Sequence, residues 1–202
     1  MSKFKLAVII ITLFVTRPAS AAQLFTCFTP DENCTRFIVR AIEAARSQLL
    51  VLAYGFTSCP IIQAIGEAKD RGIDVKIILD RSNRRHANVI AYLQSHGIEP
   101  QIDELIDFPL KGIAHNKVMI IDRMHTLTGS FNFTPSAQQR NTENILLIKN
   151  HRKLAKTYEN YWKSRASATP SAQLNDPTAG DQPSCSFGPA PDRLRLPRRR
   201  AT

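Results

Sequence analysis

Four side chains within eighteen positions of this chain could together attack a phosphorus atom. His115 offers an imidazole nucleophile, Lys117 a fixed positive charge, and Ser130 and Asn132 neutral hydrogen-bond donors. A nucleophile beside a cation and neutral donors suits displacement at a phosphodiester without a metal ion. The residue types and their spacing therefore predict phosphoryl chemistry.

The segment that contains His115 and Lys117 is predicted to be a loop that enters a buried strand. Side chains alternate between the two faces of a strand, so these two residues share a face at a backbone separation of about 7 Å. Both could then contact one phosphate group. Asp122 lies at odd spacing from both and points to the opposite face, so we expect it to have a structural or supporting role.

The segment from Gly129 to Asn132 has the same kind of spacing. If it is extended, Ser130 and Asn132 share a face, and Gly129 lets another backbone approach closely. Taken singly, these residues have plainer explanations, because a histidine at a strand end is usually structural and a Ser-x-Asn sequence is usually a turn. Their combination with His115 favours a catalytic site.

The combined pattern resembles a known family signature. It reads His115-x-Lys117-x4-Asp122-x6-Gly129-Ser130-x-Asn132. This is similar to the signature of the phospholipase D superfamily, and in particular to its small exported bacterial endonucleases with one motif copy. The resemblance extends over roughly Phe25 to Arg165, and the similar segments include 53–57, 68–76, 129–134 and 141–144.

The resemblance implies a role for each site residue. His115 would attack phosphorus and form a phosphohistidine intermediate. Lys117 and Asn132 would bind the non-bridging oxygens, with a further hydrogen bond from Ser130. Glu143 matches the carboxylate that orients the nucleophilic imidazole, while Asp122 and Gly129 belong to the signature without contacting substrate.

The reaction also needs a group that protonates the leaving oxygen and later activates water. Larger relatives supply it from a second motif copy, and this chain has no second copy. The remaining histidines are His86, His96, His125 and His151. A twofold dimer with His115 near its axis would supply a second imidazole, as the resemblance to single-motif nucleases also implies. We therefore expect a composite homodimer site that uses neither a metal ion nor another cofactor.

Apolar runs and helical spacing alternate along the chain. Runs of strand length predict strands at 24–28, 49–54, 75–79, 98–102, 118–121, 126–128 and 145–148. Helical spacing predicts helices at 37–46, 60–71, 87–96 and from 154 onward. Because the strands lack polar alternation, we expect a sheet buried on both faces, which predicts an α/β fold. The resemblance specifies a phospholipase D-like mixed sheet between two helical layers, an αβα sandwich.

The two ends of the chain differ from the middle. Residues 1–21 contain basic residues, then a ten-residue apolar run, then small residues that fit a cleavage site. This order is typical of a cleaved export signal. An uncleaved membrane anchor is the alternative, but a span needs about 20 apolar residues. Residues 166–202 are rich in proline and arginine and are predicted to be a disordered tail that contacts phosphates or aids solubility. We therefore expect a nuclease domain at 22–165 in a periplasmic or secreted protein without stable membrane insertion.

Charge and cysteine content fit an exported protein with a polyanionic partner. Residues 22–165 contain 19 basic and 14 acidic residues, a net charge of +5. This excess favours a nucleic-acid backbone without identifying it. The spacing of the four cysteines, Cys27, Cys34, Cys59 and Cys185, does not suggest a zinc site. In an oxidising compartment they would form one or two disulfides, and the sequence leaves the pairing open.

These observations predict a metal-independent endonuclease of low sequence specificity that acts on DNA or RNA. One alternative is a phospholipase that acts on cardiolipin or another phospholipid, since it would use the same reaction in a different groove. The other is a non-catalytic nucleic-acid-binding protein. The second alternative is weaker because every motif position holds the reactive residue type.

Overall fold

The structure, a computed structural model, describes residues 21–104 and 112–169. The predicted export signal, except its last residue, and the predicted tail beyond Thr169 lie outside these ranges. Within them, no helix combines the length and the apolar character needed to cross a membrane.

Strands and helices alternate in the described ranges much as the apolar runs predict. The strands are β1 (Gln23–Thr29), β2 (Gln48–Ala53), β3 (Asp74–Asp80), β4 (Gln101–Asp103), β5 (Lys117–Ile121), β6 (His125–Gly129) and β7 (Glu143–Lys149). The α-helices are α1 (Cys34–Glu43), α2 (Cys59–Asp70), α3 (Ala87–Ser95), α4 (Pro135–Gln139) and α5 (Arg152–Ala168), and a 3-10 helix spans Arg81–Arg85. The 3-10 helix and α4 were not predicted, because both are short and lack an apolar repeat.

The strands form one mixed sheet in the order β1-β7-β6-β5-β2-β3-β4. The pairs β2–β3 and β3–β4 are parallel, and the other neighbouring pairs are antiparallel. Helices α1, α2 and α3 bury residues in the core on one face of this sheet, and α5 packs on the other. The predicted αβα sandwich with a mixed sheet is therefore confirmed.

Alternate residues of the central strands fill the two cores. Val51 and Met119 belong to the core beneath α1 and α2, whereas Leu52 and Val118 belong to the core beneath α5. Trp162 of α5 is buried in the second core, where its indole N–H donates to the Val51 carbonyl at 3.0 Å. Burial of an aliphatic side chain of this size contributes about 1.5–3 kcal/mol, so the sheet is held from both sides.

Two features differ from the sequence-based expectation. Strand β1 lies at the sheet edge, so its apolar side chains are more exposed than those of a strand buried on both faces. Leu24 is 67% exposed and Phe28 is 51% exposed. Helix α5 runs to Ala168, three residues beyond the domain boundary predicted at Arg165. The start of the predicted tail is thus helical.

One of the possible disulfides links Cys27 of β1 to Cys34 at the start of α1. Cys59 also takes part in a disulfide, and Cys185 lies outside the described ranges. The Cys27–Cys34 bond ties the edge strand to the first helix, directly before the end of β1 that reaches the site.

Candidate active site

The predicted site residues meet at one edge of the sheet. At this edge β2, β3 and β6 end, whereas β5 and β7 begin. Lys117 is paired with Ala53, and Gly129 with Ile145. The mixed strand directions therefore bring distant parts of the chain together at one place.

His115 lies in the segment 112–116, which precedes β5 and has no regular secondary structure. Its backbone N–H donates to the Ile113 carbonyl at 3.0 Å. Its ring packs at a tilt against the ring of Tyr54, with the centroids 4.5 Å apart. The residue is otherwise exposed, so the imidazole is supported by an aromatic neighbour and accessible to a substrate.

The surroundings of His115 favour its neutral form. Partial burial lowers the pKa of the imidazole below its usual range, the Lys117 ammonium lowers it further, and the Asp80 carboxylate opposes both effects. An imidazole must be neutral to act as a nucleophile. The lowered pKa therefore increases the reactive fraction near neutral pH.

Lys117 is the first residue of β5 and is only 7% exposed. Its Nζ donates to the His115 carbonyl at 3.0 Å and lies 5.3 Å from the centroid of the Tyr54 ring. Burial lowers the pKa of Lys117, and the Glu143 carboxylate opposes this by raising it. The His115 carbonyl therefore holds the Lys117 ammonium in place. From there the ammonium could bind the same phosphate that the His115 imidazole would attack.

A hydrogen-bonded cluster fixes Ser130 and Glu143. The Ser130 hydroxyl donates to Glu143 Oε2 at 2.5 Å and accepts from the Asn144 N–H at 3.0 Å. Asn141 donates to the other carboxylate oxygen of Glu143 at 2.8 Å. The hydroxyl of Thr29 donates to the Asn141 carbonyl at 2.9 Å and accepts from the Glu143 N–H at 3.0 Å. The end of β1 thus supports the carboxylate.

The described contacts of Glu143 do not include the one that the resemblance implies. Its carboxylate binds Ser130 and Asn141 and acts electrostatically on Lys117. Among the described residues, no contact joins it to His115 of the same chain. The orientation of an imidazole by Glu143 therefore stays a prediction.

The segment after β6 brings Asn132 to the same edge. Phe131 and Phe133 are each 1% exposed, so Ser130 and Asn132 alternate with two buried side chains, as expected for an extended segment. The Oδ1 atom of Asn132 is buried without a hydrogen-bond partner in the described ranges. This oxygen can only accept a hydrogen bond, so binding of a phosphate oxygen by Asn132 would use its Nδ2 donors.

Gly129 makes the close backbone approach that its position predicts. A Cβ atom added to Gly129 would collide with the carbonyl oxygen of Asn144. The Ser130 N–H donates to this same carbonyl at 3.1 Å. Any larger residue at position 129 would therefore push the serine away from Glu143.

Asp122 lies at the opposite end of β5 from Lys117 and has a structural role. Its carboxylate accepts hydrogen bonds from the backbone N–H groups of residues 46–48, at 2.7 to 3.1 Å. Burial raises the pKa of Asp122, but the hydrogen bonds from Gln48, Ser47 and Arg46 outweigh burial and lower the pKa below its usual range. Because Asp122 follows the last residue of β5, the opposite face that strand alternation assigns to it stays a prediction.

We expect Asp122→Ala to lower the free energy of unfolding by about 3 kcal/mol at pH 7, because several backbone N–H groups lose a charged acceptor. The catalytic rate per folded molecule should change little. A carboxylate with a lowered pKa stabilises the fold above its ordinary pKa of 3.8 and loses that effect as the pH falls. Urea unfolding at pH 7 and pH 3 should therefore show a smaller difference between variant and wild type at pH 3. An equal difference at both pH values would contradict this assignment.

Three residues that contribute to the site were not identified from the sequence. They are Thr29, Tyr54 and Asp80, which end or directly follow strands β1, β2 and β3. Ligand-binding groups often follow the carboxyl ends of strands in α/β sheets, so their positions were the available signal. Without the strand order, that signal did not show that these three strand ends contribute to one site.

In the described ranges, no cluster of metal-ligating side chains is found at the site, and three of the other histidines have partners elsewhere. Among the described residues, no group of three His, Cys, Asp or Glu side chains is placed to hold a metal ion. His96 pairs with Asp70, and His125 accepts a hydrogen bond from the Asn150 N–H. His151 caps the start of α5. These three histidines therefore have structural partners.

Comparison with known proteins identifies the family. The family model described as "Cardiolipin synthase, PLD-like domain" matches residues 38–165. The chain belongs to the phospholipase D superfamily. The phospholipase D of Rickettsia prowazekii (strain Madrid E) is 46% identical over 147 residues, which cover 72% of this chain and 69% of that protein. The mitochondrial cardiolipin hydrolase of Mus musculus is 30% identical over 142 residues, 68% of this chain and 62% of that protein.

A solved structure supports the same assignment. The crystal structure of Nuc, a phospholipase D family member from Salmonella typhimurium, superposes with a TM-score of 0.69 at 33% sequence identity. The match covers 75% of this chain and 99% of Nuc. The predicted resemblance to a single-motif member is confirmed, and the chain is a phosphodiesterase of this superfamily.

Proposed function

We propose that the protein is an exported, metal-independent endonuclease that hydrolyses DNA or RNA with low sequence specificity. The proposal rests mainly on one observation: the accessible imidazole of His115 lies beside the buried ammonium of Lys117, which is bonded to the His115 carbonyl. This pair places a neutral nucleophile beside a fixed cation, as attack on an anionic phosphodiester requires.

The reaction has two steps. A ring nitrogen of His115 attacks phosphorus, and a phosphorus–nitrogen bond forms as the bond to the leaving oxygen breaks. Lys117 and Asn132 stabilise the negative charge on the non-bridging oxygens. Water then attacks the phosphohistidine, the phosphorus–nitrogen bond breaks, and the second product leaves with the oxygen of that water.

Both steps need a proton carrier opposite His115, and we propose that a second copy of the chain supplies it. The leaving oxygen takes a proton from the partner's imidazole, which later removes a proton from the attacking water. A twofold axis near His115 would place both imidazoles in one site. Glu143, held by Ser130 and Asn141, would then orient the imidazole of the other copy, which fits the absence of a contact with His115 among the described residues of its own chain.

The net charge of +5 on residues 22–165 supports a nucleic-acid substrate.

The second candidate is phospholipid hydrolysis. Two observations favour it: relatives bear the names phospholipase D and mitochondrial cardiolipin hydrolase, and apolar side chains are exposed near the site. Ile113, two residues before His115, is 50% exposed, and Phe28, paired with Asn144, is 51% exposed.

We expect purified protein to nick supercoiled plasmid in EDTA at the rate seen without chelator, and to release phosphatidate from cardiolipin liposomes more slowly. Gel assays of plasmid nicking and chromatography of lipid products, at matched phosphodiester concentration, measure the two activities. A His115→Ala preparation controls for contaminating nucleases. Loss of nicking in EDTA would contradict the metal-independent mechanism. Hydrolysis of liposomes without nicking would establish the lipid substrate instead.

A further inference from the structure

Asp80 is a buried carboxylate next to the site that lies outside the motif. It ends β3 and is 1% exposed. Its Oδ2 accepts the Ala114 N–H at 2.8 Å, and its Oδ1 accepts the Ser82 N–H at 2.9 Å. Burial of an ionised carboxylate is costly unless hydrogen bonds compensate, so these two contacts fix both oxygens.

The contact with Ala114 matters because this residue directly precedes His115. The segment 112–116 has no helix or strand to define its path. It is held by the Asp80 carboxylate at Ala114 and by the Tyr54 N–H, which donates to the Asn116 carbonyl at 2.8 Å. The position of the His115 backbone between these two points therefore depends on both contacts.

A second set of hydrogen bonds links the end of β3 to the backbone of Tyr54, the residue whose ring contacts the imidazole. Asn83 donates from Nδ2 to the Tyr54 carbonyl at 2.6 Å and to the Asp80 carbonyl at 3.0 Å. Asn83 is buried. The side-chain amide of Asn83 thus joins the backbone of Asp80 to the backbone of Tyr54, whose ring contacts His115.

We propose that Asp80 is a positioning residue for His115: its carboxylate fixes the residue before the nucleophile and places a negative charge near the imidazole. The carboxylate does not need to touch the substrate for either effect. This inference rests on the proposed function, in which His115 is the nucleophile.

The charge on Asp80 has a measurable consequence. Lys117 of β5 faces His115 and lowers its pKa, whereas Asp80 of β3 raises it. Tyr54, after β2, contributes the ring contact, and Glu143 of β7 acts on Lys117. Removal of the Asp80 charge leaves Lys117 unopposed, so the pKa of His115 should fall further. Because neutral imidazole attacks, the acidic limb of the pH–rate profile should move to lower pH.

Two substitutions separate charge from position. Asp80→Asn removes the charge and leaves one acceptor oxygen for two backbone N–H groups, so kcat should fall about 10- to 100-fold and the acidic limb should move to lower pH. Asp80→Glu keeps the charge on a longer side chain, so kcat should fall while the limb stays at its wild-type position. KM should change little in both variants, because Asp80 does not contact substrate.

Asp103 provides a matched control. It is 2% exposed, pairs with Asp80 across β3 and β4, and binds Arg165 instead of the His115 segment. Asp103→Asn should lower stability but leave the acidic limb unchanged. Thermal unfolding of each variant identifies those that are folded, and Asp80→Glu alone tests the positioning role if Asp80→Asn does not fold.

The experiment measures kcat and KM for plasmid nicking from pH 5 to 9, together with an NMR titration of the His115 ring in the absence of substrate. Wild-type kcat in a folded Asp80→Glu variant, or an unshifted imidazole titration in Asp80→Asn, would overturn the proposal. The titration does not depend on turnover. A wild-type protein that does not nick plasmid would therefore reject the proposed function, while the titration still tests the effect of the Asp80 charge on His115.

Discussion

His115→Ala is expected to reduce phosphodiester hydrolysis by at least about three orders of magnitude, while affinity for nucleic acid stays near the wild-type value. The substitution removes the atom that bonds to phosphorus, and no side chain among the described contacts of His115 can replace it. Removal of a nucleophile from other covalent catalysts has effects of this size or larger. Lys117 and the other basic residues remain, so the electrostatic attraction to a polyanion persists.

A single-turnover nicking assay and a fluorescence binding assay on the same preparation measure the two quantities. His151→Ala is the matched control, because this histidine is exposed and caps α5. Loss of the cap costs about 1 kcal/mol of stability and should leave cleavage intact. Cleavage that survives His115→Ala at more than a few per cent would reject the phosphohistidine mechanism, and loss of binding would indicate a wider structural defect.

Local patterns in the sequence were sufficient for much of the fold. The run predicted as a strand at 49–54 is observed at Gln48–Ala53, because a continuous apolar run between polar ends is buried whichever strands flank it. The sequence also predicts a structural role for Asp122, and the structure shows its carboxylate bound to residues 46–48. Both predictions needed only the local pattern around each residue, although the partners of Asp122 are distant in sequence.

The site was predicted less completely because strand order is not a local property. The central position of β2 and β5 brings Tyr54 and Asp80 beside a segment that follows them by dozens of residues. Thr29 reaches Glu143 because β1 pairs with β7, the last strand. The exposure of Phe28 was not predicted for the same reason, because an apolar run does not show that its strand will lie at the edge of the sheet.

The proposed composite site predicts an unusual result for dimers that contain one His115→Ala subunit. If each site needs one imidazole as nucleophile and the other as proton carrier, such a heterodimer should retain less than about 1% of wild-type activity, since acid–base catalysis contributes about 100- to 10,000-fold. Two independent sites would instead leave half of the activity. A single altered subunit thus distinguishes the two arrangements.

Co-expression of two differently tagged subunits, followed by sequential affinity purification, would isolate the heterodimer. A wild-type heterodimer with the same two tags, and one with a single His151→Ala subunit, serve as controls and should retain full activity. Analytical ultracentrifugation would establish that the active species is a dimer. Half of the wild-type activity in the His115→Ala heterodimer, or full activity in a monomer, would contradict the shared site, because His115 would then need no imidazole from a second copy.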